Sequence, residues 1–229
     1  KDSSIPRIAL NGFNFISSSE IQSEHRAVKK YDFLFIGNSQ TRKNLYPFVK
    51  SLETLCERNT DFNALIINRV GHSLENRLYV RKIRKILSSL SDDKRKNITY
   101  IESIIGSDPL PKDTIKLFYQ QSRYLVITSR SEGAARVVGE ASLNNLGVIS
   151  YSKMLGGTNN HLNLNVDMLF DDFEKLPSTL LSALEQRKEL DEYISSNKYS
   201  YLEEHSKDIL INKLVEFFQL NKESLDREI

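Results

Sequence analysis

Three groups of residues in this 229-residue sequence are of types and spacings that could do chemistry. Glu132, Arg136 and Glu140 recur at intervals of four, which on a helix lines them along one face, where Arg136 can pair with either carboxylate. Paired carboxylates at such a place accept hydrogen bonds from the vicinal hydroxyls of a sugar or ribose. The same pattern also suits a solvated helix face, since an acid near a helix start favours the dipole. The second group is Gly37-Asn38-Ser39-Gln40-Thr41-Arg42-Lys43-Asn44. Gly37 would permit close approach of backbone to a ligand, and Arg42 or Lys43 could reach an anion. A polar turn with solvated cations is the plain alternative. In the third group, Gly156, Gly157 and Thr158 stand before two asparagines. Such a turn can wrap backbone donors around a phosphate or sugar hydroxyls, although paired glycines also mark bare turns.

These groups gain meaning from the elements that must carry them. Tyr31 to Ile36 is a short apolar run, and Asn44 to Arg58 carries an apolar stripe of helical period. The alternation continues through strands at Phe62–Asn68, Ile98–Ile101, Tyr124–Thr128 and Val148–Tyr151. Between them fall helices at Leu74–Leu90 (basic and amphipathic), Thr114–Gln121 and Ala134–Asn144. Near-continuous apolar strands alternating with helices predict an α/β fold: a doubly wound, right-handed parallel sheet covered on both faces. Each of the three groups then follows a strand, where open parallel sheets bind ligands.

Residues 1–30 read as a short strand, Ile5–Leu10, followed by a Ser-rich linker from Asn11. Residues 31–172 form the α/β domain and 173–229 a helical tail, with helices at Leu176–Gln186, Leu190–Ser196 and Asp208–Leu220. Thirty-two basic and 30 acidic side chains leave a net charge of +2, too balanced for tight phosphate neutralisation, so a nucleic-acid partner is not expected. Cys56 is the single cysteine and no Cys/His cluster offers a zinc site, which points to a reducing, cytoplasmic compartment. No apolar run approaches the roughly 20 residues that span a bilayer. A start without Met or a signal peptide suggests a piece of a longer protein. Gly-x-Gly-x-x-Gly and Walker-type loops are absent, and Asp92-Asp93 and Asp171-Asp172 lack Asp-x-Asp spacing. A hydrolase elbow at Ser39 would need a second glycine where Thr41 stands.

Taken in order, the motifs resemble the carboxyl-terminal domain of retaining GT-B glycosyltransferases of family four, also labelled glycosyltransferase group one. The likeness rests on Phe35-Ile36-Gly37 with Lys43-Asn44, Ser131-Glu132-Gly133, Arg136-Val137, Glu140-Ala141, Gly147-Val148-Ile149 and Gly156-Gly157. The seven residues between Glu132 and Glu140 match that family's Glu-seven-Glu spacing, and Asn11-Gly12 is similar to its entry into the domain. The resemblance runs from about Ile5 to Asp172.

What the resemblance implies is donor binding by Gly37, Asn38, Arg42, Lys43, Glu132, Gly133, Arg136, Glu140, Gly156, Gly157 and Thr158. Within that set Glu140 would hold the ribose, Glu132 a donor-sugar hydroxyl and Lys43 the pyrophosphate, with Glu132 and Lys43 as the catalytic pair. The partners implied are a nucleotide-diphosphate sugar, a glycan or lipid-linked acceptor, and an amino-terminal GT-B domain that this chain has no room for. That domain would carry the acceptor site, a catalytic His and any peripheral contact with the inner membrane face. No cofactor or metal is expected. His25, His72, His161 and His205 lie in no catalytic context, so the chain alone is expected to bind donor without turnover. Its last helix, around Leu210, Leu214, Phe217 and Phe218, is expected to be partly uncovered. One departure is Asn38, which stands where the family carries Arg. That leaves a catalytically silent nucleotide-sugar-binding or regulatory module as the competing reading, which the retention of both glutamates opposes. A source in bacterial surface-polysaccharide synthesis is a further expectation.

Overall fold

The computed structural model describes residues 27–104, 110–133, 136–164, 166–193, 209 and 211–217. The strand expected at Ile5–Leu10, the Asn11-Gly12 pair, most of the linker, His25 and His205 lie outside them. Chain order is β1 (Tyr31–Asn38), a 3-10 turn (Thr41–Lys43), α1 (Leu45–Glu57), β2 (Ala64–Val70), α2 (Leu74–Ser89) and α3 (Asp92–Arg95). There follow β3 (Ile98–Ile104), α4 (Lys112–Gln120), β4 (Ser122–Ile127), α5 (Arg136–Leu143), β5 (Gly147–Tyr151), β6 (Met168–Phe170) and α6 (Leu176–Glu185). Every strand pairing is parallel. The sheet order is β3-β2-β1-β4-β5-β6, the doubly wound Rossmann-like arrangement expected.

Alternation along β1 shows why both faces are covered. Phe33 and Phe35 enter one apolar cluster with Phe48, Ile66, Tyr124 and Leu176, while Leu34 enters the other with Leu65, Leu125 and Val148. Successive side chains of a strand point to opposite faces, so a strand buried on both reads as an unbroken apolar run. Gly37 belongs to β1 itself: a Cβ there would come within 2.9 Å of the Phe35 ring, which stacks on Phe48 at 6.0 Å between centroids. The missing side chain leaves room for that ring.

Three elements differ from expectation, the first being the four-residue helix α3, which is too short to show a period. The sheet has a sixth strand, β6, whose three residues are too few to show a period; it pairs Ile149, Ser150 and Tyr151 with Met168, Leu169 and Phe170. The loop leading to it contains a 3-10 turn (Thr158–His161) where other crossovers have a helix. The helix carrying Glu140 begins, among the described residues, at Arg136, so Glu132 lies outside it. In the tail, residues 187–193 and 211–217 are helical. Leu214 and Phe217 are half-buried, whereas Ile211 and Val215 are exposed; Leu210 and Phe218 lie outside the described residues.

Candidate active site at the carboxyl ends of β1 and β4

The strand order reverses between β1 and β4, and such a switch point is where open parallel sheets place a ligand crevice at the carboxyl ends of the strands. Lys43 and Arg42 come from the connection after β1, and Glu132 from the connection after β4. Backbone bonds stitch these connections to the loop after β5: Arg130 N–H donates to Arg42 C=O (2.9 Å), Leu155 N–H to Arg130 C=O (2.9 Å), and Glu132 N–H to Leu155 C=O (2.9 Å). Ser131 and Leu155 form a parallel bridge. The Thr128 hydroxyl donates to Lys43 C=O at 3.0 Å. Thus the three sequence groups meet, although Lys43 and Glu132 lie 89 positions apart in the chain.

Gly156 is held by this stitching. Its φ is +107°, and a Cβ would lie 1.9 Å from Glu132 C=O, so only glycine lets the loop approach the backbone of Glu132. A Cβ on Gly133 would meet nothing within 4 Å, and one on Gly157 would come no nearer than 3.8 Å to Gly133 C=O; these two glycines border open space. Thr158, by contrast, is fully buried in its 3-10 turn, and its Oγ1 has no hydrogen-bond partner among the described residues.

Glu132 is the electrostatic centre of the crevice. Lys43 Nζ and the Ser129 hydroxyl both donate to its Oε1, the second at 2.5 Å, and Arg42 Nη1 lies 3.5 Å from Oε2. Burial alone would raise its pKa, but the bonds from Lys43 and Ser129 and the two cations prevail and hold it below the ordinary carboxylate value. The Arg42 guanidinium also donates to Ser131 C=O (3.2 Å) and to Gln40 Oε1 (3.0 Å), yet remains half exposed. Asn38 turns its side chain back to accept from Gln40 N–H at 3.2 Å.

Glu140 is held separately. Arg136 Nε donates to its Oε1 at 3.0 Å across one helical turn, and the Tyr119 hydroxyl of α4 donates to its Oε2 at 3.1 Å. Burial first, then the carboxylate beside it, push the Tyr119 phenol well above its ordinary range, so it serves as a neutral donor. Thr128 and Ser129 open the turn that leads to Glu132, and their hydroxyl partners emerge only in the fold. Tyr119 carried no local motif, because what matters is the hydroxyl it aims at a residue 21 positions away.

The structure therefore corrects one geometric expectation: Glu132, Arg136 and Glu140 do not share a helical face. The bridge to Leu155 keeps Ser131 and Glu132 extended, Glu132 turns to Lys43, and Arg136 pairs with Glu140. Ser39 is fully buried and its Oγ accepts from Gly71 N–H at 2.9 Å, so it is not presented as the nucleophile of an elbow. His72 is exposed.

No family model matches the sequence, and no curated protein does. Solved structures do match in fold. The carboxyl-terminal domain of a glycosyl transferase group 1 family protein (LpcC) from Francisella tularensis superposes with a TM-score of 0.63 at 16% identity, covering 82% of this chain and 96% of that one. A glycosyltransferase from Rickettsia africae gives 0.63 at 16% identity over 84% of this chain. Anabaena HepE in complex with UDP-glucose gives 0.61 at 15% over 82%. This chain spans 47% of the Rickettsia protein and 48% of HepE. At these identities the likeness establishes the fold alone, a Rossmann-like α/β domain.

Proposed function

We propose that this chain is the donor-binding domain of a glycosyltransferase that moves a hexosyl group, with retention, from a nucleotide-diphosphate sugar to a glycan or lipid-linked acceptor. The observation that carries the proposal is the convergence of Lys43, Arg42 and Glu132 at the switch point of the sheet, on loops locked by Gly156. Breaking the bond between sugar and phosphate builds negative charge on the leaving diphosphate. Lys43 and Arg42 would take up that charge in place of a metal, freeing the Glu132 carboxylate for a sugar hydroxyl. Glu140, steadied by Tyr119 and Arg136, would accept from the ribose hydroxyls. The remaining contribution is positioning, which requires the amino-terminal acceptor domain. Alone, the chain would bind donor and not turn it over. Its setting would be the cytoplasmic face of bacterial polysaccharide synthesis, in keeping with the absence, among the described residues, of a helix long and apolar enough to cross a membrane.

A second reading, a silent nucleotide-sugar-binding module, is favoured by Asn38, whose amide closes a local turn instead of offering a cation. Calorimetry with UDP separates the fold likeness from function. Binding in the micromolar to millimolar range is expected, and Glu140→Ala should weaken it by about 1–3 kcal/mol through unpaired hydroxyls. Absence of UDP, GDP and ADP binding would remove both readings. Transfer by the full-length parent, lost in Lys43→Ala, would select the enzyme over the module.

A further inference from the structure

The outer face of α2 plays no part in the crevice, yet it has an organised surface chemistry. Val80, Ile83 and Leu87 bury one side of this helix in the domain. On the opposite side, Leu74, Leu78, Arg81, Lys82 and Lys85 fall at offsets of three or four and form one ridge, with Arg77 beside it. Leu74 and Leu78 are 72% and 47% exposed, unusual for leucines on a helix that already has a buried side. None of Arg77, Arg81, Lys82 and Lys85 has a carboxylate partner among the described residues. On the same helix Arg84 does, donating to Glu102. A groove of about 530 Å³ runs alongside, lined by Leu78 and Tyr79 together with Arg81, Lys82 and Lys85, and also by Thr41 and the ridge's one acid, Glu75, which accepts from the Thr41 hydroxyl at 3.1 Å. The chain as a whole carries only +2, so three cations on the ridge and Arg77 beside it, against the single acid Glu75, are a local concentration of positive charge.

We propose that this ridge is a membrane-docking face that lies on a bilayer containing anionic lipids. Cations without partners, set around two exposed leucines and an apolar groove, are complementary to acidic headgroups with hydrocarbon beneath them. A polyanion such as nucleic acid would use the cations but gain nothing from the leucines. The inference stands apart from the donor crevice, because no residue of the ridge contributes to it.

The test uses the 229-residue chain and sedimentation with vesicles of phosphatidylcholine alone or with one-third phosphatidylglycerol. Binding to the anionic vesicles only is expected, falling as salt rises. Each basic side chain near such a surface is worth about fivefold, so Arg77→Gln/Arg81→Gln/Lys82→Gln/Lys85→Gln should lower the affinity on the order of a hundredfold or more. Leu74→Ser/Leu78→Ser should also lower it, with circular dichroism showing both variants folded. No sedimentation with anionic vesicles at low salt would overturn the proposal, as would binding that survives the quadruple change. Binding indifferent to the leucine pair, or displaced by a short oligonucleotide at lower concentration than by vesicles, would overturn it in favour of plain polyanion adsorption.

Discussion

Each end of the sheet carries an acid between two cations, and the two clusters behave differently. At the amino end Asp32, 4% exposed, lies 3.2 Å from Arg123 Nη1 and 2.9 Å from Arg187 Nε, while its Oδ2 accepts from Asn63 N–H at 2.9 Å. Arg123 reaches on to Asp191 at 3.4 Å, and Arg187 donates to Asp61 C=O at 2.7 Å. Every charge there is committed, and the cluster fastens the helical stretch after α6 to the strands. At the carboxyl end Glu132, between Lys43 and Arg42, is held by loops, and Arg42 is half exposed. The same residue types are mortar at one end and an available anion site at the other, because crossovers leave helix starts and open loops only at the carboxyl ends of parallel strands.

The largest effect is expected at Asp32. Asp32→Ala would leave two guanidiniums without their buried partner, and the loss of stability in urea denaturation should be about 3–5 kcal/mol. A loss below about 1 kcal/mol would show that the amino-end cluster is not mortar. Asp167, another amino-end acid, sharpens the point because it has no cation among the described residues. It accepts from Val148 N–H (2.7 Å) and Asn163 N–H (2.6 Å), and burial, against those bonds, pushes its pKa up to about 7. A carboxyl with a folded value above its ordinary 3.8 contributes stability that is complete below that value and is lost as pH rises through about 7. Wild-type stability relative to Asp167→Asn should therefore decline between pH 4 and 7, by no more than about 1.4 kcal/mol per pH unit.

At the carboxyl end Gly156→Ala should cost about 1–3 kcal/mol by forcing a side chain onto a positive φ against Glu132 C=O, and should abolish UDP binding. Retained binding would separate the loop from the site. Lys43→Ala should be the mildest for the fold, under about 1 kcal/mol by thermal melting because the pair is only partly buried. It should nevertheless weaken UDP binding tenfold or more in calorimetry. A large stability loss with unchanged affinity would make both ends mortar.

The alternation of elements was legible in the residues alone, since most of the long strands are apolar runs and each long helix carries an apolar stripe. It also placed the chemistry-bearing turns after the strands at Ile36, Thr128 and Tyr151. Period and composition are local properties, readable within a dozen residues. Folding in three dimensions was needed to bring Glu132 out of the helix to Lys43, to set Tyr119 behind Glu140, to complete the sheet with Met168–Phe170 and to gather two arginines on Asp32. Each of those depends on a partner tens of residues away in the chain, and a three-residue strand or a bridge such as Ser131 to Leu155 leaves no periodic trace. Parallel neighbours are never adjacent in sequence, so what one strand's loop does is settled by whichever loop the crossovers bring beside it.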